Sequence, residues 1–503
     1  MKKKKELIII LGSLLVVVLS VSIAYFTTTI NSKNSNVSTS SAELKIVFTS
    51  GTGTIAGSEI EPGWSSGTST FTVKNESKDT YKYNIVIKDL INTFVTTGYL
   101  QYKITSTDGG YNMSDFTDVP KSKTAKDKVL AYSVEIAKGA THTYNVEFRY
   151  LNSTTVNQNE DMGKKLSGTL FIEEGTEDPH GIYAQGTLGW QIMDDNLTRK
   201  TRSSFSATFS TTNTGTLYKA SESITGSTAK DVYYFAGNAK NNWVKFAGFY
   251  WRIIRTNHDG SVRLLYSGTA TDTTSGYIGT SAFNSTYSDA MYVGYMYGAT
   301  GNLASNRTNE NNSTIKGVID NWYSTNLSSY TKYISTEAVY CNDREVGSGT
   351  YNTGSTKFYY ASYTRLYTNN APTYNCTNNK DAFSGSNSEA KLTYPIGLMT
   401  ADEITYSGGY RDTKLSGAYS WYYLNSAGGS ITGSTKWWLL SPSNWGGFYA
   451  GSWYVHGSVN PSFLYYGYVG DSIGVRPVLS IKSDALWSRG DGSPENPYEI
   501  VYN

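Results

Sequence analysis

Eleven aromatic residues fall within the 32 positions from Trp437 to Tyr468: Trp437, Trp438, Trp445, Phe448, Tyr449, Trp453, Tyr454, Phe463, Tyr465, Tyr466 and Tyr468. No Asp, Glu, Lys or Arg interrupts them, and Gly, Ser and Asn fill most of the gaps. Large, rigid rings set among small, adaptable residues give contact area at low entropic cost, which is the chemistry of binding. The candidate contacts are Tyr449, Trp453, Tyr454, His456, Asn460, Phe463, Tyr465, Tyr466 and Tyr468. Successive side chains leave a strand on opposite faces, so Trp453-Tyr454 and Tyr465-Tyr466 cannot all be buried on one side. Trp453, Tyr454, Tyr465, Tyr466 and Tyr468 are therefore expected to face solvent. Trp437, Trp438 and Trp445 read equally well as core.

Groups that could do covalent chemistry are sparse. The 503 residues include four His and two Cys, too few and too scattered for a zinc cluster or a C-x-x-C redox pair. A serine nucleophile needs a nearby His, and His456 has no carboxylate close in sequence to orient it. No catalysis, metal or cofactor is expected. A net charge of +2 leaves no basic field for a phosphate backbone, so nucleic acid is not an expected partner. Cys341 and Cys376 are expected to pair in an oxidising exterior. Closing a loop of that length contributes just under ~4 kcal/mol in the chain-entropy model.

The elements that must carry these residues begin at the membrane. Lys2, Lys3, Lys4 and Lys5 precede an apolar run, residues 7–26, long enough at roughly 30 Å to cross a bilayer core. Residues 1–28 read as a signal peptide, with Ser22-Ile23-Ala24 as the cleavage site, or as a retained anchor with the remainder exported. Residues 29–42 are rich in Ser, Asn and Thr and read as a polar tether. From 43 to 175 short alternating runs such as Phe71-Thr72-Val73 and Tyr144–Phe148, punctuated by turn residues, predict an all-β antiparallel sandwich. Residues 176–185 form a linker.

Residues 186–503 form a different kind of domain. Asp259-Gly260 between β-rich runs predicts a hairpin. Ile315, Val318, Ile319, Trp322 and Tyr323 make one buried helical stripe. A second helix starts at the capping box Thr400-Ala401-Asp402-Glu403 and stops at Gly408-Gly409. Two helices among many strands make this domain α+β.

Two resemblances add to this reading. Ala24-Tyr25-Phe26, Pro62-Gly63, Val73-Lys74-Asn75 and Asn157-Gln158-Asn159 make the first domain resemble the camelysin and biofilm-matrix-fibre family of Gram-positive bacteria. That likeness implies export and, in some members, fibre assembly. The second domain is similar to a C-type-lectin-like domain of unknown function related to the sulfatase-modifying fold. The residues that carry this are Phe246–Arg255, Tyr340–Asp343, Leu392–Glu403, Trp437–Ser443, Gly474–Asp484 and Gly490–Ile500. The resemblance implies that the stretch after Trp437–Ser443 is the exposed, ligand-facing surface. The calcium-holding motifs of sugar-binding C-type lectins do not occur.

The expected protein is thus an exported, non-catalytic adhesin or receptor-like molecule at the cell surface. Its ligand would be a glycan or a protein on another cell or in the matrix. The alternative is a structural matrix protein assembling through its first domain.

Overall fold

The computed structural model describes residues 27–32, 35–37, 46–50, 55–57, 60–271, 276–414, 435–457 and 462–502. The apolar run 7–26, its candidate cleavage site and Asn460 lie outside the described residues. The chain divides into two compact units, 1–179 and 180–503.

Strands dominate the first unit: β1 (Thr27–Ser32), β2 (Ser35–Val37), β3 (Ile46–Ser50), β4 (Ile55–Gly57), β5 (Ser69–Asn75), β6 (Tyr81–Asn92), β7 (Leu100–Ser106), β8 (Thr117–Asp118), β9 (Ser122–Ile136), β10 (Thr141–Tyr150) and β11 (Lys165–Glu174). They form a five-stranded sheet ordered β4-β1-β11-β6-β9 and a six-stranded sheet ordered β2-β3-β5-β10-β7-β8. Alternation drives the packing. In β10 His142, Tyr144, Val146, Phe148 and Tyr150 are buried while their neighbours are not. Tyr144, Val146, Phe148 and Tyr150 share one core with Ile85 and Ile87 of β6 and with Leu166, Leu170 and Ile172 of β11, so the two sheets close face to face.

Two expectations need correction here. Residues 29–32 and 35–37, read as tether, belong to strands, and β1 runs parallel to β11 from Thr27↔Lys165 to Ser32↔Leu170. Low apolar content argues against a core, but a ladder pairs backbone groups whatever the side chains, and this pairing is what composition missed. The sandwich is accordingly not purely antiparallel. His142 is buried, with its Nδ1 2.7 Å from the Tyr83 hydroxyl.

The second unit is also mainly strand, with several short helices. The expected hairpin forms between β12 (Phe249–Thr256) and β13 (Val262–Tyr266), turning at Gly260 with φ +82°, a conformation glycine adopts without strain. Both expected helices are present, but they are not alone. α1 (Leu188–Asp195), capped by the Thr187 side chain, went unpredicted, as did the helical turn at Ala361–Tyr363 that runs on through Thr364–Thr368. In α2 (Thr314–Asn326) the fully buried face is Ile315, Lys316, Ile319 and Tyr323, whereas Val318 and Trp322 stay partly accessible. Cys341 and Cys376 are bridged.

α3 (Ala401–Ser407) begins with the reciprocal cap read from sequence. Thr400 Oγ1 accepts from Glu403 N at 3.1 Å, and Glu403 Oε2 accepts from Thr400 N at 3.0 Å. The same carboxylate reaches two strands. Glu403 Oε1 lies 2.9 Å from Arg255 Nε of β12 and 2.8 Å from Arg263 Nη1 of β13. Arg255 also holds Glu222 at 2.9 Å, and next along α3 Asp402 takes two bonds from Arg365. Burial works to raise the Glu403 pKa, but Arg263 and then Arg255 outweigh it, holding the carboxyl below its ordinary range.

Removing one member of a buried pair strands the others, so Glu403→Ala should cost about 3–5 kcal/mol. A folded-state pKa below the unfolded one contributes stability above the unfolded value and loses it as pH falls. Wild-type stability in denaturant titrations should therefore drop as pH falls below about 4.3, the ordinary glutamate value. Glu403→Gln should start less stable and fall less steeply.

Candidate ligand-binding face

Three strands organise the aromatic window: β14 (Trp437–Trp445), β15 (Ala450–Val455) and β16 (Phe463–Tyr468). β15 lies between the other two, antiparallel to both, with Trp453 opposite Tyr466 and Tyr454 opposite Tyr465. β14 and β15 are buried along their whole length, while β16 is mostly half-exposed. Beyond Leu464, β16 has no ladder partner on its outer side among the described residues.

This arrangement splits the candidate contacts. Trp453 is 0% exposed, and its Nε1 donates to Ser362 Oγ at 3.0 Å. Tyr454 is 8% exposed. Neither faces solvent as expected, because a central strand covered on both faces buries successive residues alike. Trp437, Trp438 and Trp445 are core as well. Tyr449, His456, Phe463, Tyr465 and Tyr466 are half-buried, and Tyr468 is 46% exposed. Phe448, at 75%, is the most exposed ring of the window.

The accessible rings fall into two groups. At one end Tyr468 lies 3.9 Å from Tyr449 and 6.3 Å from Tyr287, centroid to centroid. The larger group is a continuous row. His456 meets Phe463 at 5.0 Å, Phe463 meets Tyr465 at 5.7 Å, and Tyr465 stacks on Tyr466 at 4.9 Å. Tyr466 then meets Tyr363 at 5.4 Å. Tyr363 is sandwiched between Tyr359 at 4.2 Å and Tyr367 at 4.8 Å, and the guanidinium of Arg411 lies 4.3 Å from the Tyr367 ring.

The second half of that row was missed from sequence. Tyr359, Tyr363 and Tyr367 lie outside the charge-free window; the spacing of four between Tyr363 and Tyr367 is the signal that could have found those two, since side chains four apart share a helical face, while Tyr359 sits on the strand just before. The π-helical turn at Thr364–Thr368 carries the last of the three into line with the others.

The row's electrostatics are simple. Lys436 Nζ stands 4.8 Å from the Tyr454 ring centroid. Burial and then Lys436 push the His456 pKa down to about 4, so this imidazole is neutral across the physiological range. Burial, then Tyr465, raises the Tyr454 hydroxyl to about 12. Among the described residues no group of three or more His, Cys, Asp or Glu is placed to hold a metal ion. The face offers ring edges, hydroxyls and one neutral imidazole, which can stack and hydrogen-bond, and the Arg411 guanidinium adds a positive charge at one end.

Comparison with protein-family models and with curated proteins finds no match. Among solved structures, the chain is similar to the crystal structure of a ruminal GH26 endo-beta-1,4-mannanase, at 14% identity and a TM-score of 0.14. That likeness covers 27% of this chain and 26% of the other, and at this level it carries no argument about fold or activity.

Two measurements check the geometry. Trp453→Ala should cost about 3–5 kcal/mol of stability in thermal melts, as a buried indole does. Tyr466→Ala, at the half-exposed centre of the row, should cost only about 1–2 kcal/mol. In an NMR titration His456 should protonate near pH 4. Lys436→Ala should raise that midpoint, because it removes a like charge.

Proposed function

We propose that this chain is an exported cell-surface binding protein, adhesin-like and non-catalytic. Its second unit would present the aromatic row to a glycan or protein on another cell or in the matrix. The observation that supports this is the continuity of the row from His456 through Tyr466 to Tyr367, with rings half-exposed throughout. Stacking covers both faces of Tyr363 and one face of Tyr359, and Tyr363 and Arg411 flank Tyr367, so at the middle of this group a ligand meets mainly edges and phenol hydroxyls. Ring edges carry partial positive charge, and phenols donate. Such a surface suits an oxygen-rich partner, a description that fits glycan hydroxyls and exposed peptide carbonyls alike.

The fibre-forming alternative would use the strands that lie at the sheet edges of the first unit among the described residues. One of those edges is β9, which carries Lys123, Lys126 and Lys128, and lysines along an edge discourage further strand pairing.

Probing glycan and surface-protein arrays with the full chain tests the binding reading. A specific ligand should emerge, and Tyr466→Ala should weaken it by about 2 kcal/mol or more while the protein stays folded. Undiminished binding by a folded Tyr466→Ala variant would overturn the assignment of this face. Filaments growing with concentration, with no ligand found, would favour the matrix reading.

A further inference from the structure

Arg411 stands apart from the other arginines of the second unit. Each of those donates a hydrogen bond to a carboxylate, an amide oxygen or a carbonyl oxygen. Arg411 has no hydrogen-bond or ion-pair partner among the described residues, and its Nε is sealed without one. Packing fixes its place instead. Tyr410 and Arg411 pair with Phe463 and Leu464 at the start of β16. The half-buried guanidinium lies 4.3 Å from the Tyr367 ring centroid and 5.4 Å from that of Tyr410. With Nε closed off, the donors left for a ligand are those of the two terminal nitrogens. A planar fork already held against two rings loses little further freedom when a group with two oxygens meets it.

The neighbouring charges leave that fork open. Asp412, next in the chain, is exposed and forms no ion pair with Arg411. Its carboxylate acts on the Tyr367 hydroxyl and pushes the pKa of that phenol up. A phenol shifted in that direction keeps its proton and remains a donor. Lys436, the other cation along the row, is engaged with Tyr454, its Nζ lying 3.5 Å from the hydroxyl and 4.8 Å from the ring centroid. The row therefore offers phenols and ring edges along its length and one unclaimed guanidinium at the Tyr367 end.

We propose that the row takes a saccharide bearing an oxyanion, a carboxylate or a phosphate, and that Arg411 reads that anion. This rests on the reading of the row as the binding face and names the class of ligand it selects. A guanidinium fork meets two oxygens of either anion by parallel, charge-assisted bonds, stronger than any contact the neutral phenols can make. Many weak donors followed by one strong one match a hydroxyl-rich chain that carries an acid group.

The test uses the full chain and five probes: trigalacturonic acid, its methyl ester, galactose 6-phosphate, galactose and a hexaglutamate peptide. In calorimetry at least one acidic sugar should bind roughly tenfold or more tightly than its neutral counterpart, with added salt weakening it. Whichever acid shows the larger preference identifies the source of the anion. Arg411→Gln should keep the melting transition and erase the preference, and Arg411→Lys, which retains the charge without the fork, should restore part of it. Asp412→Asn should tighten the acid and leave the neutral sugar unchanged, since it removes a like charge beside the fork. Acids bound no more tightly than their counterparts, a preference that survives in Arg411→Gln, or binding of the glutamate peptide alone would each overturn the inference. Equal binding of acid and neutral sugar, both weakened by Tyr466→Ala, would overturn it while leaving the row as the binding face. So would a ligand found on the arrays, lost in Tyr466→Ala, with none of the acidic sugars bound. No ligand at all on the arrays would remove both readings.

Discussion

The Glu403 carboxylate is the point at which the second unit is tied together. One oxygen closes the cap of a seven-residue helix, and the other is shared by guanidinium groups from adjacent strands. Two charges on the strands would be costly to bury alone, and one carboxylate would be costly beside them with only a single partner. Glu222 supplies the second negative charge, so two carboxylates offset two guanidiniums in the core. Around this centre Asp343 and Asp402 hold Arg365, and Asp381 holds both Arg307 and Arg344. Burying this many charges fixes register and orientation, because each group has only one geometry in which it is satisfied.

That network explains several of the segments that stand out in the sequence. Arg255 ends the run beginning at Phe246, Cys341 and Asp343 share one short segment, and Asp402 with Glu403 closes another. They meet in the core beside the Cys341–Cys376 bridge. Arg476 belongs to the same class, since it donates to the Tyr266 carbonyl and lies 4.7 Å from the Trp437 ring. These residues specify the scaffold on which the aromatic row is mounted.

The row in turn holds itself. Each ring has a neighbour on at least one side, and Arg411 closes one end. Mutual stacking limits rotamer freedom before any ligand arrives, so less entropy is left to lose on binding. The edge contact between Tyr466 and Tyr363, 5.4 Å between ring centroids, ties the strand half of the row to the helical half. In the first unit a comparable set of polar groups, Tyr83, His142 and Tyr144, is closed inside the sandwich and serves packing.

Local signals carried much of the fold. The capping box of α3, the hairpin at Asp259-Gly260, the alternation in β10 and the pairing of the two cysteines were all legible, because each depends on residues close in sequence or on a choice with few alternatives. The aromatic density between Trp437 and Tyr468 was equally plain, but which rings stay accessible was not. Strand position decided that: β15 lies inside its sheet and buries Trp453 with Tyr454, while β16, with no outer ladder partner beyond Leu464 among the described residues, leaves Tyr465, Tyr466 and Tyr468 reachable. Tyr359, Tyr363 and Tyr367 join the row through a contact between residues just over a hundred positions apart, and the parallel pairing of β1 with β11 spans a longer interval still. Sequence by itself determined composition, local turns and caps, and the kind of chemistry available. Which distant segments became neighbours, and so which residues share a face, rested on long-range pairing that no local pattern encodes.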